Sequence, residues 1–248
     1  MDFIYRTAFR LFTDYAARFA RTVMHKEVAE KNLHTFYVIE NCRLLASSLS
    51  LSREMTYLAL LAGLLHDIGR FPQLSRWHTF RDRDSANHAA LSTDWFLASP
   101  LPALLTERQK NLLLFAVYNH NAKILPPAPK DALLLAKLLR DADKLDIYRV
   151  LSPTVSPSTK EGCSPALVRS FLAKEQADYS LMQTPDDRKL FRLLWLYDVN
   201  FPYTAAQLLQ SPYLAELIRT LPPQPLLRQG TNEVLSFLTR LSAGSPVS

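Results

Sequence analysis

The chain has 248 residues, 48% of them hydrophobic and 21% charged, with a formal net charge of +6. This is the composition of a soluble globular protein, long enough for one domain or for one domain plus a small subdomain. Two cysteines exclude a disulfide framework and point to a reducing cytoplasm, and only 5 glycines argue against a sheet-rich barrel or a Gly-rich nucleotide loop.

No apolar run reaches the roughly 18 residues of a membrane span. At the start of the chain Ile4, Ala8, Leu11, Phe12, Tyr15, Phe19 and Val23 recur at helical spacing, interleaved with Arg6, Arg10, Arg18 and Arg21. That pattern predicts an amphipathic helix over 2–23 rather than a signal peptide, and Asp2 and Asp14 count against a transit peptide. Further helices are expected over 27–49, 53–66, 85–98, 106–120 and 131–149. Ser52 is placed to cap the third of these, and Asp131 starts the last after Pro126, Pro127 and Pro129. The polar, basic stretch 71–84, with Arg76, Arg81 and Arg83, reads as a loop. Residues 152–164, with Pro153, Pro157 and Gly162, read as a linker or functional loop. Beyond it, helices are expected over 165–181, 185–199, 204–220 and 230–242, with a disordered tail at 242–248. No Val/Ile/Thr alternation marks a strand. The expected fold is all-α: a helical core at 1–150 and a C-terminal helical subdomain at 151–248 packed on it.

Four of the six histidines lie in or at the ends of these apolar helices: His34, His66, His88 and His120. Downstream comes Arg140-Asp141-Ala142-Asp143-Lys144-Leu145-Asp146. A single histidine on an apolar helix is more often a satisfied core side chain than a ligand. The set changes the odds, because several imidazoles and carboxylates at the polar ends of apolar helices are costly unless something satisfies them. Neutral imidazole and carboxylate are also the ligand types that a borderline or hard divalent metal accepts together. His66 and Asp67 point about 100° apart on a helix. They can share a metal only where the helix ends, and Gly69 in the left-handed conformation supplies such an end.

In this order, His34, His66-Asp67, His88, His120 and Asp143 resemble the HD superfamily, whose members are mostly metal-dependent phosphohydrolases. The resemblance covers about half the chain. The runs His66-Asp67-Ile68-Gly69-Arg70-Phe71 and 140–146 look like a bacterial branch of it. The resemblance implies an HD-type helical bundle with His34, His66, Asp67 and Asp143 on one divalent metal. His88 and His120 are implied on a second, with Asp67 bridging. The metals would be Mn, Fe, Co, Ni or Zn, which the sequence leaves open. It implies a cytoplasmic hydrolase in which metal-activated hydroxide attacks a small phosphorylated molecule, a nucleotide or related phosphoester.

Departures narrow the branch. The Glu-Asp pair of stringent-response pyrophosphohydrolases is replaced by Gly69-Arg70-Phe71, and the Gly-Tyr-Pro motif of the HD-GYP phosphodiesterases does not follow Asn119-His120-Asn121. Arg70 also stands where related deoxynucleoside monophosphatases carry Glu.

Asp67 is expected at the centre of catalysis, with Arg70, Arg81 and Lys144 as cations toward the phosphoryl group. The ordinary alternatives are a solvated basic loop for the two arginines and a helix pair for Lys144. Asp146, three residues after Asp143, shares its face and is placed to orient a ligand imidazole, or else to make a surface pair. His78 in the basic loop is a candidate general acid or an exposed loop residue. Phe71, Trp77 and Phe80 either stack on a base or anchor the loop. His25 falls outside the pattern. The C-terminal helices offer a cleft wall or a homodimer contact. The basic excess is modest, with no basic stripe interleaved with aromatics beyond 70–83, which argues against nucleic acid. The same ligand set serves a di-iron HD-type oxygenase, and a metal-binding regulatory module without turnover is the remaining alternative.

Overall fold

Proline opens each of the five α-helices that follow residue 160. In this computed structural model, which describes residues 1–20, 25–151, 157–159 and 161–244, Pro165, Pro185, Pro202, Pro212 and Pro225 each stand at the start of a helix. At that position the N–H has no intrahelical partner, and the fixed φ of proline suits the first turn.

The described residues form α1 (Asp2–Ala17), α2 (His25–Ser48), α3 (Arg53–Leu65), α4 (Arg70–Trp77), α5 (His88–Ala98), α6 (Glu107–Asn119) and α7 (Lys130–Leu151). They continue with α8 (Pro165–Ala173), α9 (Pro185–Leu194), α10 (Pro202–Leu209), α11 (Pro212–Arg219) and α12 (Pro225–Ser242). The fold is all-α, with no strand among the described residues and no helix long and apolar enough to cross a membrane. The chain divides into two compact units, Met1–Asp146 and Ile147–Ser248, with the division inside α7.

In the first unit α3 is the central helix. Leu58, Ala59, Leu61, Ala62, Gly63, Leu64 and Leu65 are all buried on it, the pattern of a helix apolar on every side. It packs against α1, α2 and α6, while α4 packs on α5 and α5 on α6. A β-carbon on Gly63 would lie 3.1 Å from Cys42 Sγ, so glycine there lets α2 and α3 approach closely. Ser52 caps α3 through the Met55 amide, and Thr106 with Gln109 makes a reciprocal cap on α6. In the second unit α12 packs against α8 and α10, and α8 against α9. Phe171 of α8 is seated against Gly230 of α12.

Several boundaries differ from the sequence reading. Residues 71–84 are not all loop, since 70–77 form α4. Pro72 reads as a breaker, but it stands in the first turn, where its missing N–H is no loss. The helix expected over 165–181 stops at Ala173, capped by Lys174 at φ 59, with a separate 3-10 turn at Tyr179–Leu181. The segment 204–220 is two helices, because Pro212 cannot continue α10. Helix α12 begins at Pro225 rather than at 230, and α9 gives way to a 3-10 turn at Trp195–Asp198. Helix α1 ends at Ala17. Residues 21–23 of its expected extent, 152–156 and 160 of the expected linker, and 245–248 of the expected tail lie outside the described residues, as does the side chain of His25.

Candidate metal centre

Five elements of the first unit bring one residue or an adjacent pair to a common point. His34 comes from the third turn of α2, and His66-Asp67 from the turn that ends α3. His88 is the first residue of α5, His120 the residue after α6, and Asp143 lies on α7. All four imidazoles are buried, and Asp67 is 4% exposed. They form two groups with ligand atoms within 4.8 Å of one another: His34, His66 and Asp143, and Asp67, His88 and His120.

Asp67 stands between them. Its Oδ2 is 3.6 Å from His34 Nε2 and 3.8 Å from His66 Nε2. Its Oδ1 is 3.4 Å from His88 Nε2 and 3.8 Å from His120 Nε2. Asp143 Oδ1 lies 3.2 Å from His34 Nε2 and 3.8 Å from His66 Nε2.

The outer nitrogens fix how these rings present themselves. His66 Nδ1 is 2.8 Å from the Gly63 carbonyl and His120 Nδ1 is 2.7 Å from the Val117 carbonyl. A carbonyl only accepts, so both Nδ1 atoms donate. His34 Nδ1 meets Asp146 Oδ2 at 2.6 Å, and His88 Nδ1 meets Asp82 Oδ2 at 2.7 Å. Asp146 therefore orients an imidazole, one of the two roles its position in the sequence offered. With every Nδ1 engaged outward, the rings turn their Nε2 atoms toward one another, 3.3 Å apart between His34 and His66 and 3.0 Å between His88 and His120, and a neutral ring presents a lone pair there. Facing lone pairs repel unless a cation lies between them. This donor set, four Nε2 atoms and two carboxylates with their outer partners in place, fits divalent metal.

The electrostatics agree with that arrangement. Burial, together with the nearby His88 and His66, depresses His120 to about 3, and burial also lowers His66. Both rings are therefore neutral at ordinary pH. Burial and Lys31 oppose protonation of His34, but hydrogen bonds to Asp143 and Asp146 outweigh them and raise it. Burial pushes Asp67 upward, yet Lys31, His66, Arg70 and His88 outweigh it and hold the carboxyl well below the usual range. Asp143 is lowered against burial by His34 and His66, and Asp82 falls to about 2 against burial through His88, Gln73 and Arg70.

The expected cations occupy different surroundings. Arg70 Nε lies 3.3 Å from Asp67 Oδ1, and its guanidinium also donates to the Phe80 carbonyl at 2.6 Å and to Asp82 Oδ1 at 3.1 Å. Lys144 is buried on α7 beside Asp143. The Arg81 side chain is 70% exposed and pairs with Asp84. His78 is an exposed residue at φ 54 that caps α4. Phe71 is buried among Phe12, Tyr15 and Phe19, which is the anchoring alternative. The Arg76 guanidinium covers Trp77. Phe80 lies under both Lys31 and Arg70, 5.5 and 5.8 Å from its ring centre.

Gly69 departs from its expected conformation. Its φ of −67 is right-handed, and the turn at 66–69 does not need a left-handed residue. What requires glycine is space: a β-carbon would sit 2.3 Å from the His88 carbonyl and 2.6 Å from the Ser92 amide nitrogen.

Two residues of the site were not singled out from the sequence. Lys31 donates to Asp67 Oδ2 at 2.7 Å. Its signal was available, since it stands three residues before His34 on one face of α2. Asp82 had none, being one carboxylate in a loop of alternating charges.

Residues 33–148 match the family model of the HD domain, a span that contains all six candidate ligands. No curated protein and no solved structure matches the chain.

Proposed function

We propose that this chain, whose residues 33–148 are an HD domain, is a two-metal phosphohydrolase acting on a small phosphorylated molecule, a nucleotide or related phosphoester. The observation that carries the reading is the division of Asp67, one carboxylate oxygen toward His34 and His66 and the other toward His88 and His120. A carboxylate placed in that way can serve two ions at once. Divalent ions held by these residues supply Lewis acidity toward phosphoryl oxygen and lower the pKa of water enough to furnish hydroxide near neutral pH.

The residues of the chain divide the remaining work. His34, His66 and Asp143 form one ligand group, and His88 and His120 share Asp67 in the other. Asp146, Asp82 and the carbonyls of Gly63 and Val117 keep the Nε2 atoms aimed inward. Arg70 and Lys31 flank the two oxygens of Asp67, so positive charge stands beside the place where phosphoryl charge grows. Lys144 supplies a further cation from α7. In hydrolysis, water oxygen bonds to phosphorus as the bond to the leaving group breaks, and the leaving group takes a proton.

Phosphate release from a panel of nucleotides, phosphomonoesters and pyrophosphates tests the reading, with wild type and Asp67→Ala each reconstituted with Mn. Release by wild type that disappears in Asp67→Ala is the expected result. No release across the panel overturns it, and oxygen uptake by the iron-loaded protein then becomes the reaction to measure.

A further inference from the structure

Asp82 receives hydrogen bonds from three separate parts of the first unit. It stands on a 3-10 turn, Asp82–Asp84, between α4 and α5. From α4, Gln73 Nε2 donates to Oδ1 at 2.8 Å and the Arg70 guanidinium at 3.1 Å. From the start of α5, His88 Nδ1 lies 2.9 and 2.7 Å from its two oxygens. From the residue after His120, Asn121 Nδ2 donates to Oδ2 at 3.1 Å. The same Asn121 amide reaches Asn87 Oδ1, and that oxygen also accepts the Ala89 amide at the start of α5. Gln73 further donates to Ser85 Oγ and the Ala86 carbonyl, so the turn itself is tied down.

The other ligand group is built differently. His34 takes its outer carboxylate, Asp146, from α7, the helix that carries Asp143. Each histidine group therefore has its own outer carboxylate. Asp146 belongs to a helix, whereas Asp82 belongs to a short turn and touches both His88 and the neighbour of His120.

We propose that Asp82 is a positioning residue for the Asp67, His88 and His120 group alone, so that it sets the occupancy of one ion subsite and leaves the other unchanged. The proposal rests on the two-ion reading. Loss of its side chain removes the acceptor that aligns His88 and the tie from Asn121 to the turn, and loss of its charge alone weakens both. Outer partners of this kind are worth about 10- to 100-fold in metal affinity.

Mn(II) titration with a count of bound ions per chain, and electron paramagnetic resonance of the loaded protein, measure this directly. Wild type is expected to bind two ions with a spin-coupled spectrum. Asp82→Asn, which keeps the shape, binds the ion of the Asp67, His88 and His120 group about 10-fold less tightly, and Asp82→Ala holds one ion with an uncoupled spectrum. The remaining ion keeps its wild-type affinity in both. Asp146→Asn weakens the opposite subsite. Two ions bound with wild-type affinity in the Asp82 variants overturn the proposal, and so does equal weakening of both ions. If Asp82→Ala fails to fold, Asp82→Asn decides. A wild type that binds fewer than two ions refutes the two-ion reading itself, and the proposal with it.

Discussion

Both units bury charged side chains, and they satisfy them in opposite ways. In the second unit Asp186, Asp187 and Lys189 are almost wholly buried. Asp186 takes the Lys189 ammonium at 2.8 Å on one oxygen and the Thr159 amide and hydroxyl on the other. Asp187 accepts the amides of Ser164, Gln183 and Thr184, and Lys189 also donates to the Thr220 carbonyl. Every carboxylate oxygen there faces a donor. In the first unit, Nε2 faces Nε2 at the centre of four imidazoles. A buried cluster that closes on itself holds a fold together, whereas one whose acceptors converge is built to receive something.

The sharpest way to break this contrast is Asp67→Ala. Phosphate release is expected to fall to background and metal content to drop, while circular dichroism stays helical. Retained release would remove Asp67 from the centre. Next comes Lys189→Ala, which leaves Asp186 charged and buried without its partner. Breaking a buried pair in this way costs about 3–5 kcal/mol. Urea unfolding is expected to show that loss, with metal binding per folded chain unchanged. A metal defect in this variant would mean that the second cluster is not merely structural.

Acid should affect the metal-free protein through the first unit. His120 titrates near 6.5 when unfolded but only at about 3 when folded, so the unfolded chain binds the extra proton between those values. Stability contributed by this ring is complete above 6.5 and is lost as pH falls toward 3. His66 acts in the same direction and His34 in the other. The melting temperature of EDTA-treated protein is expected to fall from pH 7 to pH 5, and His120→Asn should flatten the slope. The smallest effect is expected for Arg81→Ala. An exposed arginine paired with Asp84 should leave phosphate release and melting temperature as they are, and a clear drop in activity would place it at the substrate instead.

What could be read in the sequence follows from how each signal is encoded. The candidate ligands were legible because imidazoles and carboxylates in or at the ends of apolar helices are conspicuous, and because their order along the chain resembles that of the HD superfamily. The all-α fold was legible because its periodicity is long and uninterrupted by strand patterns. Helix α4 was hidden by the polar, basic composition of 71–84, which reads as loop although its first part is helical. The break between α10 and α11 was hidden by the apolar residues on both sides of Pro212. Asp82 could not be ranked above its charged neighbours, because what distinguishes it is contact with residues from 6 to 39 positions away, whereas Lys31 stood on one face with His34.

Gly69 carries a consequence for the spacing of the centre. The missing side chain lets the turn after Asp67 lie directly against the backbone of His88 and Ser92, with the Gly69 amide donating to Ser92 Oγ at 2.9 Å. That contact works as a distance gauge between the middle of the site and one of its sides. A methyl group added there would act as a shim, displacing α5 from Asp67 without altering a single ligand, and would convert the geometry of the centre into a quantity that can be adjusted from outside it.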